Sequence, residues 1–303
     1  MAEPPASLAE PSAFAPTERE RPHQRVNPWL GVRRQAVAQV LPLLAVVVLA
    51  SLGPSLLPLS ATDQDLLGRL QPPVWLDGGD WNHPLGTDGL GRDLLARIAS
   101  GARTSLIVSI VAAAGAGVIG VTAGVLGGMR GGLTDRIITM LVETLLAVPF
   151  ITVGIVVTGT VGQSQTNLLL LLVLSGWVTH ARIVRLQVQS LVRSDFILAA
   201  IAMGAVRTHV ALRHLLPNLA PVIIVVLFQQ AGLMLLWSAS LTYLGIGLPI
   251  DEISLGGIVR EGQELIYNAW WVSVFGGLAI ALAVTGFNLF ADWLQRRVDP
   301  TLR

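Results

Sequence analysis

Five histidines (His23, His83, His180, His209 and His214) and a few acids and amides among apolar residues are this sequence's candidates for chemistry. Metal-assisted hydrolysis would call for H-E-x-x-H and acyl transfer for a G-x-S-x-G elbow, and neither occurs. His83, Asp88 and Asp93 stand near one another, but their spacing fits no standard ligand set. Asp88 and Asp93 flank turn glycines, so turn building is the expected role. His209 and His214 are five apart, a spacing that does not align two ligands on an α-helix. The G-x-G-x-x-G spacing at Gly115, Gly117 and Gly120 falls inside an apolar run, which suits helix packing and not a nucleotide loop. Thiol chemistry is excluded because there is no cysteine. There is no lysine either: all 20 cations are arginine, and a P-loop requires its lysine on the phosphates. No metal site and no bond-making chemistry are expected, and any ATP would have to bind another polypeptide.

What remains is polar residues in or beside apolar runs. Glu143 is an acid within such a run, a functional candidate by default. A proton or ion relay is one reading; pairing with an arginine at the membrane interface is favoured, since Glu143 is near a charged end. Arg182 and Arg185 are the other charges at the edge of a run. Gln229 and Gln230 lie inside a later run, where amides commonly bond neighbouring helices. A place on a solute pathway is the alternative.

The elements that carry these residues are membrane helices. Of the 303 residues 52% are hydrophobic and only 13% charged, about half the charged fraction of a soluble domain, roughly 25%. The net charge of +1 gives no reason to expect a nucleic-acid partner. Residues 1–34, rich in Pro, Ala, Glu and Arg, are expected to be a disordered cytoplasmic tail. Residues 35–59 are a first transmembrane helix, since the stretch before them is too long for a signal-peptide n-region. Residues 60–103 are polar and end in Leu94 to Leu106, which suits an interfacial helix. A transmembrane core over 104–297 holds further spans at about Thr104–Met129, Ile137–Gly159, Asn167–Ser190, Leu219–Gly247 and Trp270–Leu294, and 298–303 are expected to be a cytoplasmic C-terminal tail. Gly120, Gly124 and Gly128 form a small-residue stripe for close helix packing. The fold class is all-α and polytopic, with about six spans. With both termini inside, 15 of the 20 arginines fall on the inner side, as the positive-inside rule asks.

One inside segment stands out, the knuckle of residues 194–218. Its signals read as two short helices: Ser194 as N-cap, Asp195 on the positive helix end, Gly204 as left-handed terminator and Pro217 as a stop. Asp195-Phe-Ile-Leu-Ala-Ala-Ile-Ala-Met-Gly204 followed by His214-Leu-Leu-Pro-Asn218 resembles the EAA loop of ABC-importer permeases, with Leu198 where the family has an acid. Three more blocks agree in order: HPLGTD–LGRD from His83, WVTHARIVR from Trp177, and the ending Ala291 to Pro300. Together they resemble the C-type subunit of the dipeptide, oligopeptide and nickel import branch.

The resemblance implies a type I ABC importer permease fold in a bacterial cytoplasmic membrane. It implies a second permease of related fold, two ATPase subunits holding ATP and Mg, an extracytoplasmic solute-binding protein, a peptide-like or nickel solute, and lipid around the spans. Asp195, Ala199, Ala200, Gly204, His214, Pro217 and Asn218 are then the coupling positions, with both alanines allowing close approach. The outer loop Pro249 to Asn268 would meet the binding protein. An ion-coupled secondary transporter would call for internal repeats and paired midplane acids, neither of which is evident. A non-transporting membrane scaffold is a further alternative, with the knuckle as a generic interaction site.

Overall fold

The computed structural model describes residues 28–56 and 60–298, so the expected tail up to residue 27, residues 57–59 of the first span and the end from 299 lie outside it. The described residues are almost wholly helical, with one isolated bridge between Thr87 and Asp93. Helix α1, Pro28–Leu56, starts inside the stretch expected to be tail. After a run of turns, α2 spans Leu94–Arg130 as one continuous helix. No interfacial helix is set off from the second span, contrary to expectation. The reason is local: no proline or cap interrupts the run, and Asp93 caps its start by accepting from the Ala96 N–H at 2.7 Å. At 37 residues it is roughly 55 Å long, more than a bilayer's apolar thickness needs.

The third crossing differs more. Helix α3, Gly132–Ala147, and α4, Phe150–Val161, meet at an angle of 83°, where one span over Ile137–Gly159 was expected. Pro149 sits at the break and holds Val148 extended at φ −95°, ψ 123°. Helix α5, Gln165–Leu191, is capped by Ser164, which accepts from the Asn167 N–H at 3.1 Å. Next come α6, Asp195–Ala202, α7, Arg207–His209, and a π-helical segment, Val210–Leu215, continuous with α8, Leu216–Tyr243. The expected loop before the last span contains α9, Leu255–Gln263, and α10, Trp270–Val298, ends the described chain. Among the described residues five helices are long and apolar enough to cross a membrane, or six if the bent α3–α4 pair is one crossing.

The main core forms where α2 lies along α5 and both meet α8. The glycine stripe makes this approach possible. A Cβ on Gly124 would fall 2.8 Å from both the Ala181 carbonyl oxygen and Val184 Cβ, and one on Gly128 2.7 Å from Val188 Cβ. Helix α10 packs on α8 and α9 and receives α1 at Gly286, where a Cβ would stand 2.7 Å from the Leu43 backbone nitrogen. A second apolar cluster of Val125, Val184, Val188, Ile197, Val210, Leu215 and Leu219 lies beneath α6. The bundle therefore has two ends: a knuckle face with α6, and a loop face with residues 60–93 and α9.

Candidate functional site

The knuckle is anchored on one side. Ile197 is fully buried in the second core, which joins α6 to α2, α5 and α8, and Ala200 is also buried. Ser194 occupies the N-cap position, but its hydroxyl donates back to the Leu191 carbonyl at 2.6 Å and does not cap α6. At the other end Gly204 has φ +89°; its N–H donates to Ile201 O at 2.9 Å while Ala205 N–H donates to Ala200 O at 3.1 Å. This is a Schellman ending, and glycine is needed for its left-handed backbone. No atom lies within 4 Å of a Cβ built there, so the constraint is conformational and not one of space. Of the two alanines expected to face a partner, Ala199 is exposed and Ala200 is buried.

Pro217 does not stop a helix as expected. It sits in the first turn of α8, with Leu216 helical at φ −58°, ψ −42°. Its ring crowds the Arg213 carbonyl and it has no N–H to give, and the wider π winding before it accommodates both. That winding also brings the five-residue pair His209 and His214 together, ring centroids 5.8 Å apart, which α-helical geometry did not suggest. Asn218 donates through Nδ2 to the His214 carbonyl at 2.6 Å. Asp195 is exposed in the first turn of α6.

The outer surface of the knuckle is apolar, and most of its residues are not among the expected coupling positions. Phe196, Leu198, Ile201, Val206 and Leu212 are each about half exposed or more, and Met203 is 83% exposed. This apolar surface lies on a segment that also carries Arg207 and Arg213. Its signal was in the sequence, as large apolar residues left over on a short helix whose inward side needs only Ile197 and Ala200.

Gln230 and Gln229 part company. Gln230 is buried and donates from Nε2 to the Gly176 carbonyl of α5 at 3.2 Å, a helix-to-helix bond. Gln229 is exposed and lines a cleft of about 380 Å³ with Asn218, Pro221 and Gln295. Glu143, Arg182 and Arg185 line another cleft, of about 300 Å³. Arg185 nevertheless takes a different acid: its guanidinium grips Asp135 through Nε–Oδ1 and through Nη2–Oδ2 at 2.8 Å. Glu143 is exposed on the rim and makes no ion pair of its own among the described residues, so the arginine pairing expected for it belongs to Asp135.

On the loop face, four charged side chains from three segments form a closed network. Asp88, 1% exposed, accepts from the Leu90 N–H at 2.8 Å, the Arg92 N–H at 3.0 Å and Arg92 Nε at 2.7 Å, and from Arg97 Nη1. Arg97 also holds Glu261 of α9, with Nη1–Oε2 at 2.5 Å and Nη2–Oε1 at 2.9 Å, and Arg92 Nη2 reaches the same carboxylate at 2.8 Å. Burial pushes the Asp88 carboxyl up, but the Arg97 charge, the two backbone N–H groups and Arg92 outweigh it and hold it below the usual carboxylate range. His83 Nδ1 lies 2.9 Å from Asp93 Oδ2, completing the turn role expected of this block. No group of three or more potential metal ligands occurs among the described residues.

Residues 116–303 match the family described as binding-protein-dependent transport system inner membrane component. The chain is similar to the dipeptide transport system permease protein DppC of Alkalihalophilus pseudofirmus, 30% identical over 99% of this chain and 97% of the relative. It is 34% identical to the oligopeptide transport system permease protein OppC of Mycobacterium tuberculosis, over 89% of this chain and 91% of that one. Among solved structures, an inward-facing form of the MetNI methionine ABC transporter shares the fold, with a TM-score of 0.56 and 21% identity over 67% of this chain and 96% of that one.

Proposed function

From the premise that the chain belongs to the binding-protein-dependent transport inner-membrane component family, we propose that it is the pore half of an ATP-driven importer of dipeptides or oligopeptides, worked through its knuckle by separate ATPase subunits. The peptide assignment rests on the names of the full-length relatives. The exposed apolar face of α6, held on its own small core, is the observation that carries the coupling role. A lever must be stiff towards its own bundle and adhesive towards its partner, and Ile197 and Met203 represent the two sides. Docking is then mainly apolar, with Asp195 and Ala199 on the outward side, Gly204 setting the bend, and His214, Pro217 and Asn218 shaping the π-helical junction to α8.

With no lysine for a P-loop, ATP and Mg belong to the ATPase subunits. Their closure on ATP would displace the knuckle and shift the bundle between outward- and inward-facing states, driven by the difference in ATP affinity between the two. In this arrangement the knuckle face is cytoplasmic, as the arginine distribution asks, and the loop face meets the loaded binding protein around α9. A second permease of related fold completes the pore. Gln229, on an open cleft, is the better pathway candidate of the amide pair, and Glu143 with Arg182 flanks the α3–α5 cleft.

The test is recovery of the ATPase subunits with the purified chain. Phe196→Asp with Ile201→Asp should abolish co-purification and ATP-driven uptake while membrane insertion stays normal. Undiminished recovery would remove the knuckle from the coupling role.

A further inference from the structure

On the loop face, Val74-Trp-Leu-Asp-Gly-Gly-Asp-Trp81 presents large apolar side chains to the outside. Trp75 is 55% exposed, Trp81 80% and Leu76 38%. A pliable loop would fold such groups away, but this one is stiff. Pro72 and Pro73 open it, Leu76 N–H donates to Pro73 O at 2.9 Å, Gly79 N–H to Leu76 O at 3.0 Å, and His83 N–H to Asp80 O at 3.1 Å. Gly78 turns at φ +87°, and Gly79 packs so tightly on Pro73 that a Cβ there would overlap its carbonyl.

The position of the loop indicates what covers it. Trp75 meets Phe275 edge-on, ring centroids 5.8 Å apart, and Phe275 is 6.1 Å from Trp270 at the start of α10. From Trp270 an exposed stripe continues along that membrane-spanning helix through Val274, Leu278 and Leu282 at four-residue spacing. An exposed apolar stripe on a spanning helix faces lipid or a partner's helices, and one that ends in a tryptophan fits the lipid side, since tryptophans concentrate at headgroup level. Trp75 thus extends a lipid-facing surface outwards without a gap. We propose that the Trp75–Trp81 loop is a bilayer-seated wedge, with Trp75, Leu76 and Trp81 in the boundary between headgroups and acyl chains beside the first turn of α10.

Such seating is about 5–10 Å deep and usually combines apolar burial with basic residues. Here no lysine or arginine lies between Arg69 and Arg92, and Asp77 and Asp80 flank the apolar groups. Aromatic burial therefore carries the contact, and neutral lipid suffices. The wedge would fix the height of residues 60–93 over the pore and brace the Asp88–Arg97–Glu261 network from the lipid side. This placement requires that α10 spans a bilayer and that its Trp270–Leu282 stripe is left uncovered by the second permease; it does not depend on ATP, on the solute or on the orientation of the chain.

A chain without native cysteine is suited to the test. Leu76→Cys and Trp81→Cys, each leaving the Trp75–Phe275 contact intact, are labelled with an environment-sensitive fluorophore. The full chain is reconstituted with its partner subunits in phosphatidylcholine vesicles. Lipids carrying a nitroxide near the headgroup end of the acyl chain should quench both positions by about half, as at the lipid-facing control Leu278→Cys, and aqueous iodide should quench them several-fold less than Leu67→Cys, a 99% exposed position on the same face. Iodide quenching equal to that at Leu67→Cys with no nitroxide effect would overturn the proposal, as would shielding from both quenchers, which would place the loop against the second permease. So would shielding that develops only when the solute-binding protein is added, which would assign the loop to that protein.

Discussion

Asp88 shows how one carboxylate comes to hold a whole face of the molecule together. It is buried, it satisfies two backbone N–H groups, and it shares Arg97 with Glu261, far along the chain. Losing this charge leaves Arg92 and Arg97 to share the Glu261 carboxylate, at a cost below the roughly 3–5 kcal/mol of a buried charge left with no partner. Asp88→Asn should therefore lower the thermal midpoint of the purified protein at neutral pH. Because the folded-state pKa of Asp88 is depressed, its contribution is full above the ordinary carboxylate value of about 4 and lost as pH falls through the lower folded value. The gap between wild type and Asp88→Asn should accordingly be constant from neutral pH down to about 4 and narrow below that; a gap unchanged by acid would assign the loss to packing alone. The turn role of Asp88 and Asp93 was legible from glycine spacing, which is local. Glu261 as a partner of Arg97, and Asp135 in place of Glu143 as the partner of Arg185, were not legible, because nothing in the sequence encodes which distant turns face each other.

At the level of elements, local and periodic signals translated well and prolines did not. The Gly120, Gly124 and Gly128 stripe was read as a packing surface, and those glycines meet α5 backbone directly. Gly124→Leu should destabilise the bundle by about 1–3 kcal/mol through overpacking, visible as a lower detergent-melting midpoint, whereas Gly159→Leu, with open space around it, should leave the midpoint unchanged. Equal midpoints for the two variants would dissociate the stripe from stability. Pro149 breaks the third crossing and Pro217 does not break the junction to α8, although each disfavours helix at the residue before it. The difference is context: the turn before Pro217 can widen to π winding on top of buried Val210 and Leu215, while Val148 is exposed and has no such support. That Ala200 is buried and Ala199 exposed was not legible for a related reason, since a short helix offers two faces and only packing decides which faces in.

For the molecule as a whole, the membrane class and helical fold followed from composition and run lengths, and the family from four ordered motifs that a single physical signal could not have supplied. The two ends are built differently. The loop face is locked by charges and turns, whereas the knuckle face is apolar and incompletely covered, as suits a surface that completes itself on a motor. The most direct test compares solute accumulation in proteoliposomes holding both permeases alone with accumulation in those that also hold the ATPases, with binding protein and ATP supplied throughout on the appropriate sides. Concentration against a gradient only when the ATPases are present is the expected result; accumulation without them would contradict the account.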